Sequence, residues 1–162
     1  MRVGLGYDLH RLEAGEDLIL GGIKIEFELG LRGHSDADVL IHALIDALLG
    51  AMGKGDIGEL FPDSDPAYSG ISSLDLLDVV VKMMDDEGNY LINADIVVMA
   101  QAPKIMPYKP LILRKLSRHL QTKKSRLNLK ATTTENLGVI GKKQAIASQA
   151  VVLIEEGENH VS

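Results

Sequence analysis

Residues 33–52 read GHSDADVLIHALIDALLGAM and carry a long helical signal. The segment Ser35-Asp36-Ala37-Asp38 has the S-x-x-D spacing of a capping box, and the residues that follow it are rich in helix formers. We therefore predict a helix from about Asp36 to Met52, with Ser35 as its N-cap. Glycines at 53, 55 and 58 then interrupt the helical pattern.

The chain before this helix predicts β structure. Between Arg2 and His10, apolar residues alternate with polar residues and glycine, which is the period-two pattern of a strand with unlike faces. Asp8 and His10 should therefore project from the same face. Residues 17–29, DLILGGIKIEFEL, predict a hairpin of two short strands that turns at Gly21-Gly22.

The chain after residue 60 predicts a rigid acidic loop, two further helices and three further strands. The loop is Phe61–Pro66, the helices begin near Ser72 and Pro107 and end near Gly88 and Leu120, and the strands are Asp95–Ala102, Leu127–Ala131 and Gln144–Ile154.

This order of elements indicates an α+β fold. Single strands and one hairpin lie between three predicted helices, which favours one layer of sheet covered by helices on one face. The other face would need a different cover, and self-association is the simplest way to bury it. A homo-oligomer is therefore expected.

Composition limits the function classes. The 162 residues, 46% of them apolar, suffice for one domain with a hydrophobic core. We expect this domain to span residues 1–157 and the tail at 158–162 to be frayed. A net charge of −6 disfavours partners such as nucleic acid or a membrane surface. Cysteine is absent, so any metal must bind His, Asp or Glu. With no membrane segment or signal peptide evident, we expect a bacterial cytoplasmic protein, or a processed plastid form.

Asp8, His10 and His42 form the first candidate site. Two residues at positions i and i+2 of one strand, together with a histidine of the next helix, can supply three zinc ligands and leave a fourth position open. The alternative is two solvated strand residues and one hydrogen-bonded core histidine. Asp46, four residues after His42, would either orient the His42 imidazole or form a plain pair with His42 on the helix surface.

Two further segments could bind phosphate. At Gly33–Asp36, the helix N-terminus with His34 and Ser35 suits an anion, although Ser35 can equally be only an N-cap. At Lys130–Glu135, hydroxyls could donate to phosphoryl oxygens while Glu135 holds Mg²⁺, or the segment could be an exposed strand margin.

Two loops could bind the rest of a ligand. The carboxylates of Gly55–Gly58 and Phe61–Asp65 can accept hydrogen bonds from sugar or polyol hydroxyls, or they can form an acidic turn that keeps the surface soluble. Residues 100–106 could present backbone groups to a flat base with Lys104 near a phosphate, or could simply connect a strand to a helix.

Five motifs in order resemble the family of 2-C-methyl-D-erythritol 2,4-cyclodiphosphate synthases over nearly the whole chain. The motifs are DLH at 8–10, GHSDADVLIHALIDALLGA at 33–51, GDIGELFPDSDP at 55–66, AQAPKI at 100–105 and KATTTENLG at 130–138. The resemblance implies a single α+β domain with a mixed sheet and helices on one face. It further implies a homotrimer whose sheets pack around a threefold axis, with active sites between subunits.

The resemblance also implies a reaction. The 2-phosphate of 4-diphosphocytidyl-2-C-methyl-D-erythritol 2-phosphate would attack the β-phosphorus and expel CMP, giving a cyclic diphosphate in the non-mevalonate isoprenoid pathway. The family's zinc ligands fall on Asp8, His10 and His42, and the ligand of its second divalent ion, Mg²⁺ or Mn²⁺, falls on Glu135. His34 and Thr133 match the positions that stabilise the transition state.

Substrate contacts follow from the same resemblance, with residues 56–58 at the ribose, 61–65 at the methylerythritol hydroxyls and 100–106 at the cytosine. The full set is Ser35, Asp56, Ile57, Gly58, Phe61, Pro62, Asp63, Ser64, Asp65, Ala100, Gln101, Ala102, Pro103, Lys104, Ile105, Met106, Ala131, Thr132 and Thr134. Val139 and Lys142 stand where the family commonly has Phe and Arg lining a central trimer cavity linked to isoprenoid diphosphates. These departures weaken that last expectation.

Two other functions remain open on the residues alone. One is a zinc-dependent phosphoester hydrolase in which the Asp8, His10 and His42 site activates water. The other is a non-catalytic trimeric module that binds a metal and a cytidine nucleotide. Release of CMP distinguishes the synthase from the binding module, and a linear phosphate product would indicate the hydrolase.

Overall fold

The computed structural model describes residues 1–62, 65, 68 and 70–157. Its strands are β1 (Arg2–Ala14), β2 (Ile19–Leu20), β3 (Ile23–Lys24), β4 (Leu29–Arg32), β5 (Tyr90–Met99), β6 (Leu127–Thr132) and β7 (Ala145–Glu155). Its helices are α1 (Val39–Met52), α2 (Ile57–Leu60), α3 (Ser73–Asp86), α4 (Lys109–His119) and α5 (Gly138–Gly141). The tail at 158–162, which we expected to fray, lies outside the described residues.

Within the described ranges, one mixed sheet runs in the order β4-β1-β7-β5-β6. β1 pairs antiparallel with both β4 and β7, β7 pairs antiparallel with β5, and β5 pairs parallel with β6. The parallel pair brings the carboxyl ends of β5 and β6 to the same edge, and the segments after Met99 and Thr132 leave the sheet side by side. The predicted α+β class and the mixed sheet are confirmed.

The predicted hairpin is present as β2 and β3, which are shorter than expected. Gly21 and Gly22 form its turn with φ values of 59° and 69°, a backbone region that glycine adopts without steric cost. Their N–H groups donate to the two carboxylate oxygens of Asp38 at 3.0 and 2.7 Å. Asp38 thereby fixes the hairpin to the start of α1.

Helix α1 begins three residues later than predicted. Its N-cap is Asp38, whose side chain accepts a hydrogen bond from the Ile41 N–H, and the helix starts at Val39. The expectation that Ser35 caps the helix is therefore wrong, because its hydroxyl lies 3.2 Å from Nε2 of His42 instead. Burial raises the pKa of Asp38, while the N–H groups of Gly22, Gly21 and Ile41 oppose that rise.

The other elements differ from prediction mainly at their ends. β1 continues four residues past His10 to Ala14, β5 starts at Tyr90 rather than Asp95, and the last segment is a strand as predicted. The short helices α2 and α5 lie in segments with no predicted element, because four residues are too few to show a helical period.

Helix α1 packs on β1 through two glycines. A Cβ added to Gly4 would lie 1.8 Å from the carbonyl oxygen of Ala47, and a Cβ added to Gly6 would lie 1.9 Å from that of Ala43. No side chain larger than hydrogen fits at these positions unless the helix moves away. The backbones of the strand and the helix therefore approach more closely than ordinary side chains allow.

The opposite face of β1 is apolar and open in the protomer. Val3, Leu5 and Tyr7 are 67%, 60% and 54% exposed, and Val151 of the neighbouring β7 is 42% exposed. Contiguous exposed apolar surface of this kind marks an interaction site. Among the described residues, no helix combines the length and apolar composition that crossing a membrane requires.

We predict that Gly6→Ala lowers the free energy of unfolding by about 3 kcal/mol, since the new methyl group would collide with the Ala43 backbone. Thermal or chemical denaturation followed by circular dichroism measures the change.

Gly50→Ala is the matched control on α1. A Cβ at Gly50 meets no atom within 4 Å, so this variant should gain about 1 kcal/mol from the higher helix propensity of alanine. Equal stability of the two variants would contradict the close packing of α1 on β1.

Candidate metal centre

Three potential ligand atoms lie close together beside the first turn of α1. Two belong to Asp8 and His10, which follow Gly6 on β1, and the third belongs to His42 of α1. Oδ2 of Asp8 lies 2.9 Å from Nε2 of His10 and 3.0 Å from Nδ1 of His42, and the two ring nitrogens are 3.2 Å apart. The structure thus brings together the three residues that the sequence singled out. All three side chains are partly buried.

The ring nitrogen of His10 that faces away from the cluster fixes the tautomer of the ring. Nδ1 of His10 lies 3.0 Å from the backbone carbonyl oxygen of Arg32, which can only accept a hydrogen bond. Nδ1 therefore carries the hydrogen, and in the neutral ring Nε2 presents a lone pair toward Asp8. This arrangement matches the usual support of metal-binding histidines, in which the second nitrogen donates to an oxygen of the protein.

The ring nitrogen of His42 that faces away from the cluster contacts two serines. Nε2 lies 2.8 Å from Oγ of Ser73 and 3.2 Å from Oγ of Ser35. The Ser73 hydroxyl donates to Oδ1 of Asp36, and the Ser73 N–H donates to Oδ2 of Asp36 at 3.0 Å. The contacts of Ser73 and Asp36 were not foreseen, because in the sequence they show only as part of a helix start and a capping segment.

Asp46 takes neither of the two roles that the sequence left open for it, which were to orient His42 or to form a plain helix-surface pair. Its Oδ1 accepts a hydrogen bond of 2.8 Å from the backbone N–H of Ile57, at the start of α2. Asp46 instead holds α2 against α1, beside the cluster. Burial raises the pKa of Asp46, and the Ile57 hydrogen bond opposes that rise.

The charges of the cluster support one another. Burial disfavours the charged form of Asp8, but hydrogen bonds and charge attraction from His10 and His42 outweigh it and lower the pKa of Asp8. Burial likewise opposes charge on His10, but Asp8 and the Arg32 carbonyl raise the pKa of His10. The stabilising effect of a protonated His10 is therefore complete below its ordinary pKa of 6.5 and is lost as the pH rises through the elevated value.

The donor set fits zinc. A carboxylate oxygen and two imidazole nitrogens are ordinary zinc ligands, and three protein ligands with a fourth position open are typical of catalytic zinc sites. Nε2 of His10 and Oδ2 of Asp8 present lone pairs to the same point, which a metal ion or a proton can occupy.

A cavity of about 470 Å³ opens from the cluster. Its described lining includes all three cluster residues and the following residues that the family resemblance indicated: His34, Ser35, Ile57, Gly58, Phe61 and Asp65. Asp56 caps α2 by accepting a hydrogen bond from the Glu59 N–H. Of the other predicted contacts, Asp63 and Ser64 lie outside the described residues.

The remaining predicted residues form a second group at the carboxyl ends of β5 and β6. The Ala100 N–H donates to the Thr132 carbonyl oxygen at 3.0 Å, and the Asn136 N–H donates to Oε1 of Gln101 at 3.1 Å. The Thr133 hydroxyl donates to Oε1 of Glu135 at 2.9 Å. Residues 100–106 and 131–135 are all described, and none of them lines the cavity beside Asp8.

Val139 and Lys142 lie at a third place, around α5. Val139 is 50% exposed and lines a separate cavity of about 480 Å³ together with Leu9, Arg11 and Lys143. Lys142 follows α5 as its C-cap and does not line that cavity among the described residues.

Comparison with known proteins identifies close relatives. The YgbB family profile matches residues 1–155. A protein of Halothermothrix orenii named 2-C-methyl-D-erythritol 2,4-cyclodiphosphate synthase is 57% identical over 154 residues, which cover 95% of this chain and 93% of that protein. A protein of the same name from Caldicellulosiruptor bescii is 52% identical and is matched over 96% of this chain and 99% of its own length.

Solved structures share the fold. A bifunctional protein from Campylobacter jejuni superposes with a TM-score of 0.92 at 42% identity, over 96% of this chain. This chain spans 42% of that longer protein. A Plasmodium falciparum structure described as a CDP complex has a TM-score of 0.85 at 35% identity and is matched over 97% of both chains.

Zinc binding should release a proton, because the raised pKa of His10 must be overcome before Nε2 can bind the metal. We predict that zinc affinity falls as the pH is lowered from about 8 to about 5.5. Calorimetric titration of the metal-free protein in buffers of different ionisation enthalpy measures both the affinity and the released proton.

His119→Ala is the control, since His119 pairs with Asp78 and lies outside the cluster. Its titration should match that of the unmodified protein, whereas His10→Ala should bind zinc far more weakly. Zinc affinity that is constant across this pH range would contradict the geometry of the Asp8 and His10 pair.

Proposed function

The chain belongs to the YgbB family, and we infer from this membership that it catalyses the 2-C-methyl-D-erythritol 2,4-cyclodiphosphate synthase reaction of the non-mevalonate isoprenoid pathway. The substrate would be 4-diphosphocytidyl-2-C-methyl-D-erythritol 2-phosphate, and the products would be the cyclic diphosphate and CMP. Residues 1–157 would act as one domain.

One observation carries the assignment most directly. The Asp8, His10 and His42 cluster, with a donor set that fits zinc, lies in the wall of a cavity that also presents His34, Ser35 and the 57–61 segment. A cavity with a metal-ligand cluster at one side and hydrogen-bonding groups at the other suits a phosphorylated polyol. The family profile matches residues 1–155 and therefore spans all of these residues.

The chain's own residues would contribute chiefly by positioning the substrate and neutralising its charge, since phosphoryl transfer needs little covalent help. Zinc on Asp8, His10 and His42 would, when bound, supply positive charge that polarises a phosphoryl oxygen. Oγ of Ser35 accepts a hydrogen bond from the Ala37 N–H, so its own hydrogen can donate to a phosphate. His34 lines the same cavity and would stabilise charge that develops on the transferring group.

The second half of the site would lie at the ends of β5 and β6. Glu135 would hold Mg²⁺ or Mn²⁺, which prefers carboxylate and phosphate oxygens, and Thr133 would contact the phosphates beside it. The Thr133 hydroxyl already donates to Glu135, so the two groups are held together. The 100–106 segment, joined to this loop through Gln101 and Asn136, would hold the cytosine.

We infer that the two halves meet between subunits of a homotrimer. Within one protomer the loops at Glu135 do not line the cavity at Asp8, and the exposed apolar face of β1 needs a cover. Packing of three such faces around a threefold axis would bury that face and place the Glu135 loop of one subunit against the Asp8 cavity of the next. An isoprenoid diphosphate in the central cavity has weaker support, since Val139 and Lys142 replace an aromatic ring and a guanidinium group.

Phosphorus NMR of the metal-stripped protein with the substrate tests the function. CMP and a cyclic diphosphate should form only after Zn²⁺ and Mg²⁺ are added, and His42→Ala should lower the rate by about a hundredfold or more. Untouched substrate would contradict the synthase and favour the binding module. A linear phosphate product would indicate the hydrolase.

Mixing two inactive variants tests the shared site. His42→Ala and Glu135→Ala damage different halves, so trimers assembled from both chains should contain some sites with two intact halves and should recover part of the activity. The activity of the mixture, refolded together, is compared with that of each variant refolded alone. If the mixture stays as inactive as its components, the site is not shared between subunits.

A further inference from the structure

A chain of hydrogen bonds extends from the metal cluster into the protein interior. It runs from Nε2 of His42 to Oγ of Ser73, 2.8 Å away, and from there to the carboxylate of Asp36. Ser73 is completely buried at the first residue of α3. Its N–H group also binds the Asp36 carboxylate, at 3.0 Å, so both polar groups of Ser73 are held by the same side chain.

The number of available hydrogens determines which group donates in each of these hydrogen bonds. A carboxylate can only accept, so the single hydrogen of the Ser73 hydroxyl is committed to Asp36. Oγ of Ser73 can then only accept from His42, which means that Nε2 of His42 must carry the ring hydrogen. Nδ1 is consequently unprotonated in the neutral ring and faces Oδ2 of Asp8 and Nε2 of His10.

Ser35 cannot impose this direction by itself. Its hydroxyl lies 3.2 Å from Nε2 of His42, but among the described residues no carboxylate accepts the hydroxyl hydrogen, which can rotate so that the group donates or accepts. Ser73 differs because Asp36 fixes its hydrogen. Ser35 lines the cavity and can donate to a substrate, whereas Ser73 is buried and accepts from the His42 ring.

We propose that Asp36 and Ser73 are positioning residues for the metal site, which hold His42 as the Nε2–H tautomer so that its Nδ1 binds the metal. The proposal rests on the proposed zinc site and assigns a role to two residues that do not touch the ion. It also ties the site to α3, since Ser73 reaches His42 only if α3 begins where it does. Partners that orient metal-binding histidines in this way commonly contribute about 10- to 100-fold to metal affinity.

Zinc affinity, measured by competition with a chromogenic chelator, gives the first readout. Ser73→Ala should lower the affinity by about 10- to 100-fold, and Asp36→Asn, which retains an acceptor oxygen but loses the charge, should lower it by less. Ser72→Ala is the matched control, because Ser72 is the neighbouring N-cap of α3 and bonds the Leu74 N–H rather than His42. Its zinc affinity should equal that of the unmodified protein even if its stability falls.

The tautomer gives a second readout, which needs no variant. Long-range ¹H–¹⁵N spectra of the metal-free protein, at a pH where both cluster imidazoles are neutral, should show the His42 hydrogen on Nε2. Ser73→Ala should shift the ¹⁵N signals of His42 toward a mixture of tautomers. A ring hydrogen on Nδ1 in the unmodified protein would overturn the proposal even if the variants fail to fold.

The two readouts separate this proposal from the function. Unchanged zinc affinity and unchanged His42 signals in a folded Ser73→Ala protein would overturn the positioning role and leave the synthase assignment intact. An Nε2–H tautomer in a protein that binds no zinc at the cluster would instead contradict the metal site, while the predicted hydrogen-bond direction would still hold.

Discussion

The contact of α1 with β1 across Gly4 and Gly6 is the constraint on which the site depends. With no side chain between them, the strand backbone lies against the carbonyl oxygens of Ala43 and Ala47. Asp8 and His10 continue the same face of β1 beyond the glycines, and His42 directly precedes Ala43. The packing that builds the core thus also sets the separation between the ligands on the strand and the ligand on the helix.

The sequence predicted the parts of the site that follow from local periodicity. Alternation along β1 placed Asp8 and His10 on one face, and the helical signal after Ser35 placed His42 on the neighbouring element. The start of α1 was predicted three residues too early, because Ser35 and Asp38 are both good caps and only the tertiary contacts of Asp38 with Gly21 and Gly22 distinguish them.

The support of His42 could not be predicted in this way. Ser73 lies 31 residues further along the chain and meets the ring only through the placement of α3 on α1. The sequence offered Asp46 as one of two readings, since it has the right spacing on the helix, but Asp46 binds α2. Likewise, periodicity placed Thr133 and Glu135 at a strand end but could not show that they lie apart from the Asp8 cavity, since that depends on the order of strands in the sheet.

We propose that a zinc ion is held by Oδ2 of Asp8, Nε2 of His10 and Nδ1 of His42. A crystal structure of the zinc-loaded protein, with diffraction recorded on both sides of the zinc absorption edge, tests it most directly. We expect one anomalous peak per protomer at about 2.0 Å from these three atoms, with Nε2 of His42 still bonded to Oγ of Ser73. A peak at other residues, or a His42 ring turned to bind through Nε2, would contradict it.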